Sequence, residues 1–435
     1  MAFADSFAMP QCAIVEAIWE SPFFREKDRF VRVTTVKNAI FAPMDACALA
    51  LLDDGPVFDD RWRMNLTKTA FGSWSGGRFM HFGQRLEEER WKNLARQAYE
   101  QGVRTFLTSD VYGIGQGDTL LGEALEGYDR DSYCLVAMIG HDIYDGVRAG
   151  AKGYARFTHP DLRGPDGYAE YLQRATRACA DRCKTSHFDI VMLHNPDSIG
   201  YSSPDVWEAM ATLREHGLAK ETGIAPGPAN GFAIDMAYCI ENFHEEISSA
   251  MIILNPMEPW PGRYVLPIAN EFGVDILARV VDFGGIFHDD VKPGHIFKDG
   301  DHRSYRPAGW IEHGNEKLEA MRPIAEKYGL TMLQFACVWD LSQAPVKSVG
   351  PTFVQEAGED ARSIEDKVAE FAALPDVTLT PDEVKRVMEI GNNEGCMELK
   401  GASLRHEGLD PQPDHWPMRE ELEPFASKWH LNPTW

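Results

Sequence analysis

Gly102-Val-Arg-Thr-Phe-Leu-Thr-Ser-Asp-Val-Tyr-Gly113 decides the fold. Thr105 to Thr108 reads as a short buried strand that runs into a polar turn with Tyr112 at its tip. Ahead of it, Trp91, Leu94, Ala95 and Ala98 recur at helical spacing. A helix, a strand and a loop carrying Ser109, Asp110 and Tyr112 make one step of an alternating α/β chain. In such chains the loops at the carboxyl ends of the strands carry the chemistry.

Outward from this stretch the step repeats. Strands are predicted at Lys68–Phe71, Thr105–Thr108, Cys134–Ile139, Ile190–Leu193, Glu221–Ile224, Met251–Leu254, Ile276–Val281 and Val346–Val349. Each is a short apolar run without strict polar alternation, as expected when both faces are buried. Helices are predicted between them, most clearly at Glu87–Gln101, Tyr168–Lys184, Pro204–Glu215, Gly231–Asn242 and Glu316–Tyr328. Ser203-Pro204 predicts a hydroxyl-capped helix start with proline at the first position. Gly217 and Gly329 stand where helix C-caps are wanted. Thr380-Pro-Asp-Glu383 is a capping box that opens a last helix to about Ile390.

Eight strands, each followed by a helix, predict an α/β fold of the (β/α)8 TIM barrel type. A doubly wound sheet is the alternative, but no G-x-G-x-x-G follows the first strand. The barrel is expected over residues 67–395. An N-terminal extension, 1–66, is expected to pack on it through Trp19, Phe23, Phe24 and Phe30. A C-terminal tail, 396–435, mixes prolines with tryptophans and is expected to wrap the body as extended chain. Two insertions, Ile143–Asp166 and His288–Gly314, lie on the side where lids form over a barrel's active site.

With 435 residues, 44% hydrophobic and 25% charged, the chain can bury a sizeable core. A formal net charge of −24 argues against a surface built to neutralise phosphates, so nucleic acid is not an expected partner. The same charge is also what keeps many proteins in solution. The eight cysteines show no C-x-x-C spacing. Cys179 and Cys183 would share one face of a helix, so buried reduced thiols are expected and a four-cysteine zinc site is not. The N-terminus carries Asp5 and no basic residue before an apolar core, unlike a signal peptide. The most apolar run, Ala39–Leu52, is broken by Pro43 and Asp45 and is too short for a bilayer. A soluble, cytoplasmic protein acting on a small molecule, with no membrane partner, is the expectation.

Several motifs then fall in order: Thr69-Ala-Phe-Gly-Ser-Trp74, Thr108-Ser-Asp-Val-Tyr-Gly113, Gly117-Asp-Thr-Leu-Leu-Gly-Glu-Ala124, His187-Phe-Asp-Ile-Val-Met-Leu-His-Asn-Pro-Asp197 and Leu213-Arg-Glu-His-Gly-Leu-Ala-Lys220. Together they resemble the aldo-keto reductase family over about residues 66 to 395. The resemblance implies hydride transfer between a nicotinamide, NADP being the candidate cofactor, and a carbonyl carbon. In that family a tyrosine gives or takes the proton, a lysine salt-bridged to an aspartate lowers its pKa, and a histidine orients the substrate oxygen. An untuned tyrosine titrates near pKa 10, a poor match to neutral pH.

Carried over by position, Tyr112 matches the tyrosine and His194 the histidine, and these are the catalytic candidates. Leu107 stands at the aspartate's position and Met138 at the lysine's. Losing one member of a buried ion pair costs roughly 3–5 kcal/mol, whereas replacing both by apolar residues can be neutral. The double loss is what a stable protein shows once the tuned tyrosine is not needed. On the cofactor side, Ala225-Pro226 replaces the family's Ser-Asn, and Met251 aligns with its glutamine. Arg279, Gly285 of the loop Asp282-Phe-Gly-Gly285, and Arg362 are the cofactor-binding candidates. Asp282 and the acidic residues Glu356, Glu359 and Asp360 add negative charge where phosphate would lie. Trp74, Asp110, His141 and Asn195 are the substrate-binding candidates.

Each residue also has a plainer reading: Tyr112 as a rim tyrosine, His194 as a satisfied core histidine, His141-Asp142 as the start of a lid. His141, Asp142, His194 and Glu258 all follow strands, so a divalent-metal site is an open alternative and not the favoured one. Three functions are compatible with the sequence. The first is an NAD(P)-linked oxidoreductase acting on a small carbonyl or hydroxyl compound. The second is a non-redox lyase, isomerase or hydrolase using Tyr112 and His194. The third is a catalytically silent subunit.

Overall fold

The computed structural model describes residues 66–149, 153–227, 232–358, 361–396 and 422–431. The expected packing of the N-terminal extension and most of the tail therefore lies outside the described residues. Eight strands, β1 (Ala70–Gly72), β2 (Thr105–Ser109), β3 (Cys134–Ile139), β4 (Phe188–His194), β5 (Ala219–Ala225), β6 (Ser249–Ile253), β7 (Asp275–Arg279) and β8 (Val346–Gly350), form one sheet in sequence order. Every adjacent pair is parallel. A bridge from Thr69 to Val349, with Val349 N–H donating to Lys68 O at 3.1 Å, returns β8 to the start of the barrel. This is the predicted (β/α)8 architecture.

The shell consists of α1 (Glu88–Glu100), α2 (Gln116–Leu125), α3 (Tyr168–Arg182), α4 (Ser198–Ser202), α5 (Pro204–Glu215), α6 (Ala233–Phe243), α7 (Gly262–Glu271), α8 (Trp310–Lys327), α9 (Met332–Leu341), α10 (Ile364–Ala372) and α11 (Pro381–Gly391). The pleat sends alternate strand residues to opposite sides. Phe106, Leu135, Ala137, Val191, Leu193 and Ala278 pack under the helices. Leu107, Val136, Met138, Ile190, Met192 and Leu277 fill the barrel interior. Continuing the interior set by two residues reaches Ser109, His194 and Arg279. The pleat itself thus delivers these three polar side chains to the carboxyl-end mouth.

Three local expectations are corrected. α8 begins at Trp310, six residues before Glu316, because the buried Trp310 ring packs on Phe283 and Phe297. Ser203 precedes α5 without capping it, since its hydroxyl turns to the Asp205 carboxylate at 3.4 Å. The described part of the tail is a short helix, α12 (Glu423–Lys428), not extended chain. Its Phe425 meets Tyr238 edge-on, and the following Trp429 packs on Phe272. The capping box of Thr380 and Glu383 is present in full, and Gly217 and Gly329 both take positive φ after their helices. Among the described residues no helix is long and apolar enough to cross a membrane.

The first insertion folds back on the barrel rim. His141 bridges Arg156, Phe157 N–H donates to Gly140 O at 3.0 Å, and Arg163 pairs with Asp142 and Asp145. The β3 end can approach β4 this closely only because Gly140 lacks a side chain. A Cβ there would stand 2.1 Å from His194 O.

Candidate functional site

Tyr112 stands in the turn after β2, where its N–H donates to Ser109 O at 3.0 Å. Its half-buried ring stacks on Phe79 and meets the His194 ring at right angles, centroids 6.0 Å apart. Its hydroxyl has no hydrogen-bond partner among the described residues. Below it lies the apolar interior of Leu107, Met138, Met192, Ala225, Met251 and Trp74. Among the described residues no charged pair lies beneath the phenol. Desolvation pushes Tyr112 up to about 12, against a smaller pull in the other direction from Arg279. At neutral pH it is a hydrogen-bond donor and remains protonated.

His194 closes β4 with Nδ1 at 2.9 Å from Ser109 Oγ, and that hydroxyl lies 2.8 Å from Met138 O. A carbonyl only accepts, so Ser109 donates to it and accepts from His194 Nδ1–H. Geometry thereby assigns the tautomer and leaves the lone pair on Nε2, which has no partner among the described residues. Burial first, then Arg156 and Arg279, hold the imidazole down at about 3, so it is neutral. His141 has the opposite tautomer. Its Nδ1 accepts from Arg156 Nη1 at 2.9 Å, so Nε2 carries the proton. Asn195, whose side-chain amide lies 2.9 Å from that Nε2, must then present its oxygen there and leave its NH2 free.

The predicted residues are only partly brought together. Tyr112, His194, His141 and Asn195 share the mouth, and the two histidine rings are 5.3 Å apart. Trp74 packs inside the barrel, its ring over Gly72 where a Cβ would meet it at 2.2 Å. Asp110 is placed apart from them: its carboxylate is fully enclosed, with no side-chain hydrogen bond, among Asp118, Arg182 and Asp142. Burial first and Asp118 next raise it well above the usual carboxylate range. The four-residue metal alternative does not assemble either. Asp142 accepts the N–H groups of Tyr144 and Asp145 and pairs with Arg163, while Glu258 lies 3.2 Å from Asn255. Among the described residues, one group has metal-ligand spacing: Asp118, Cys179 and Cys183. There, Arg182 already neutralises Asp118 at 2.9 Å.

On the cofactor side, several groups at the positions expected to hold phosphate are engaged within the chain. Thr352 N–H, a donor in the loop after β8, is taken by Asp282 Oδ1 at 2.7 Å, a carboxylate in the place expected for phosphate. Gly285 is packed against the second insertion. A Cβ on it would stand 3.1 Å from Arg303 Nη1 and 3.4 Å from Glu356 Oε1. Arg303 is buried and pairs with Asp301 at 2.8 Å and with Glu356. Arg362 donates to His288 O at 2.8 Å and pairs with Glu370. Lys367 is likewise held by Asp290 at 2.6 Å. At the nicotinamide end Ala225 and Met251 are buried and apolar, and Arg279 donates to Gly227 O at 2.8 Å.

Asp282 makes a pH prediction. Burial, opposed by the Thr352 amide, moves it from 3.8 to about 6. A raised folded-state pKa stabilises the fold fully below the unfolded value, and that contribution is lost as pH rises through about 6. Asp282→Asn is therefore expected to flatten the fall in melting temperature between pH 4 and 7 (about 1.4 kcal/mol per pKa unit). An unchanged slope would contradict this.

Arg156 and Arg303 escaped the sequence reading because both lie in insertions, where no strand register places a side chain. Ser109 was within reach: it follows the interior residue Leu107 by two.

Comparison with known proteins gives a consistent family. Residues 70–391 match the profile described as the Aldo/keto reductase family. A putative voltage-gated potassium channel subunit beta of Schizosaccharomyces pombe is 25% identical over 350 residues, 76% of this chain and 92% of the relative. Versiconal hemiacetal acetate reductase of Aspergillus parasiticus is 23% identical over 341 residues, 75% of this chain and 94% of the relative. The glycerol dehydrogenase structure from Gluconobacter oxydans aligns with a TM-score of 0.59 at 19% identity, covering 81% of this chain and 96% of that one, a likeness of fold.

Proposed function

Since the chain belongs to the aldo/keto reductase family, we propose that it uses the family's barrel for proton chemistry without hydride transfer. The substrate is a small hydroxyl- or carbonyl-bearing compound held between Tyr112 and His194. The reaction class is an isomerase, lyase or hydrolase.

One observation carries this reading: the apolar pair Leu107 and Met138, both buried beneath Tyr112, where the family resemblance places the aspartate and lysine. A phenol pushed up to about 12 lacks the lowered pKa that the family resemblance gives its tyrosine, so it is a weaker general acid than a tuned one. It still donates a hydrogen bond to a substrate oxygen. Neutral His194, with its proton fixed toward Ser109, offers Nε2 as an acceptor for a substrate hydroxyl. Arg156, through His141, fixes which end of the Asn195 amide meets that ring and leaves the NH2 as a further donor beside His141. The chain's own residues thus bind and orient two oxygens of opposite hydrogen-bonding character.

A second reading, an NADP-linked oxidoreductase, draws support from the family and fold and from the retention of Tyr112 and His194. In that reading Arg279, Gly285 and Arg362 would contact the cofactor.

Fluorescence titration of the purified protein with NADPH and NADH, with metal analysis on the same sample, separates the two. No saturable response supports the non-redox reading. Tight saturable binding with turnover of a carbonyl compound supports the second and overturns the first.

A further inference from the structure

The mouth around Tyr112 and His194 is lined by two cations in a chain whose formal charge is −24. Arg279 uses Nη2 for the Gly227 and Pro226 carbonyls, and its Nε and Nη1 have no partner among the described residues. Arg156 uses Nε for Asn195 O and Nη1 for His141 and Tyr154 O, which leaves Nη2. Neither guanidinium has a carboxylate within ion-pair distance among the described residues. Three other arginines do: Arg303 holds Asp301 and Glu356, Arg163 holds Asp142, and Arg182 holds Asp118, whereas Arg306, outside the mouth, packs on Phe283 and Trp310 instead. Desolvation destabilises the charge on both Arg156 and Arg279, offset in part at Arg156 by the more distant Asp197 carboxylate. Both also lie near enough to His194 to depress its basicity. A desolvated cation without a counter-ion is unfavourable unless something else supplies the anion. Guanidinium edges match the planar oxygens of a carboxylate or the oxygens of a phosphoryl group.

We infer that this site takes a small hydroxylated anion, its carboxylate or phosphoryl oxygens on the free edge of Arg279 with Arg156 as the second cation, and a hydroxyl donated to His194 Nε2. The inference rests on the reading that the Tyr112–His194 mouth is the substrate site. It adds the charge of the substrate and the cations that select it. Sugar acids and hydroxy acids belong to this class, as do polyol phosphates. Uncharged sugars do not.

Calorimetric titration of the full-length protein with gluconate, gluconamide and inorganic phosphate tests it. The expected result is saturable binding of gluconate, at least about tenfold tighter than gluconamide, because the carboxylate adds a charge-assisted contact that the amide lacks. Phosphate should compete with gluconate. Arg279→Met should weaken gluconate binding by at least about tenfold, and Arg279→Lys, which keeps the charge, should weaken it less. Comparable melting temperatures for the two variants would exclude misfolding as the cause. Equal affinity for gluconate and gluconamide would overturn the charge inference while leaving the mouth as the substrate site. So would gluconate binding that Arg279→Met leaves unchanged. Absence of saturable binding by both gluconate and phosphate would also overturn it. None of these results depends on nicotinamide binding, so the redox question is decided separately.

Discussion

Met138→Lys alone is expected to destabilise the barrel by roughly 3–5 kcal/mol and to yield no reductase turnover. Met138 is 1% exposed within an interior set of Leu107, Val136, Met192, Met251 and Leu277. A lysine there carries an ammonium into apolar surroundings in which no carboxylate waits. The group either stays neutral or strains toward the mouth, and neither state tunes Tyr112. Leu107→Asp alone places the opposite charge in the same interior and should be comparably harmful. The double variant Leu107→Asp/Met138→Lys restores a pair and should recover much of the loss, with a coupling energy of a few kcal/mol in a urea double-mutant cycle. A Met138→Lys protein as stable as the parent would show that the interior is wetter than the packing implies.

Arg303→Ala is expected to be similarly damaging, by roughly 3–5 kcal/mol, for the complementary reason. Arg303 lies across Phe297 and joins Asp301 and Glu356, all three side chains almost fully enclosed. Its removal leaves two buried carboxylates facing each other beside Gly285. Neutralising the whole group, as Arg303→Met/Asp301→Asn/Glu356→Gln, should restore part of the melting temperature. A melting temperature for Arg303→Ala equal to that of the parent would contradict the account of this cluster. The cluster bears on function as well as stability, because the second insertion occupies with its own arginine the loop that resembles a pyrophosphate site.

The barrel was legible in the sequence because it depends on short-range pattern. Apolar runs such as Cys134–Ile139 bury both faces, and glycines such as Gly217 and Gly329 punctuate the helices. β1 was the weakest of the eight, placed from Lys68 when the strand begins at Ala70, because Lys68 and Thr69 extend the chain without lying in the named strand. α9 carries apolar residues on all sides and lacks the one-sided stripe that announces a helix.

The site was legible only as separate residues. Tyr112, His194, His141 and Asn195 all follow strands and do converge. Asp110, two residues before Tyr112, does not, because the turn sends its carboxylate into the shell toward Asp118 and Arg182. Contacts between an insertion and the barrel, such as Arg156 to His141 or Arg303 to Glu356, join residues 15 and 53 positions apart. No periodicity encodes them. The substitution of both Leu107 and Met138 was visible from the start, and the structure adds its consequence, an untuned phenol above an apolar interior.

The ionisation of Tyr112 tests the central claim most directly. In protein labelled with carbon-13 at the tyrosine Cζ, with Tyr112→Phe to assign the signal, the Tyr112 resonance should hold its protonated shift through pH 10 and move only toward about 12. Titration of that resonance below pH 9 would show a tuned tyrosine after all, and would contradict the account.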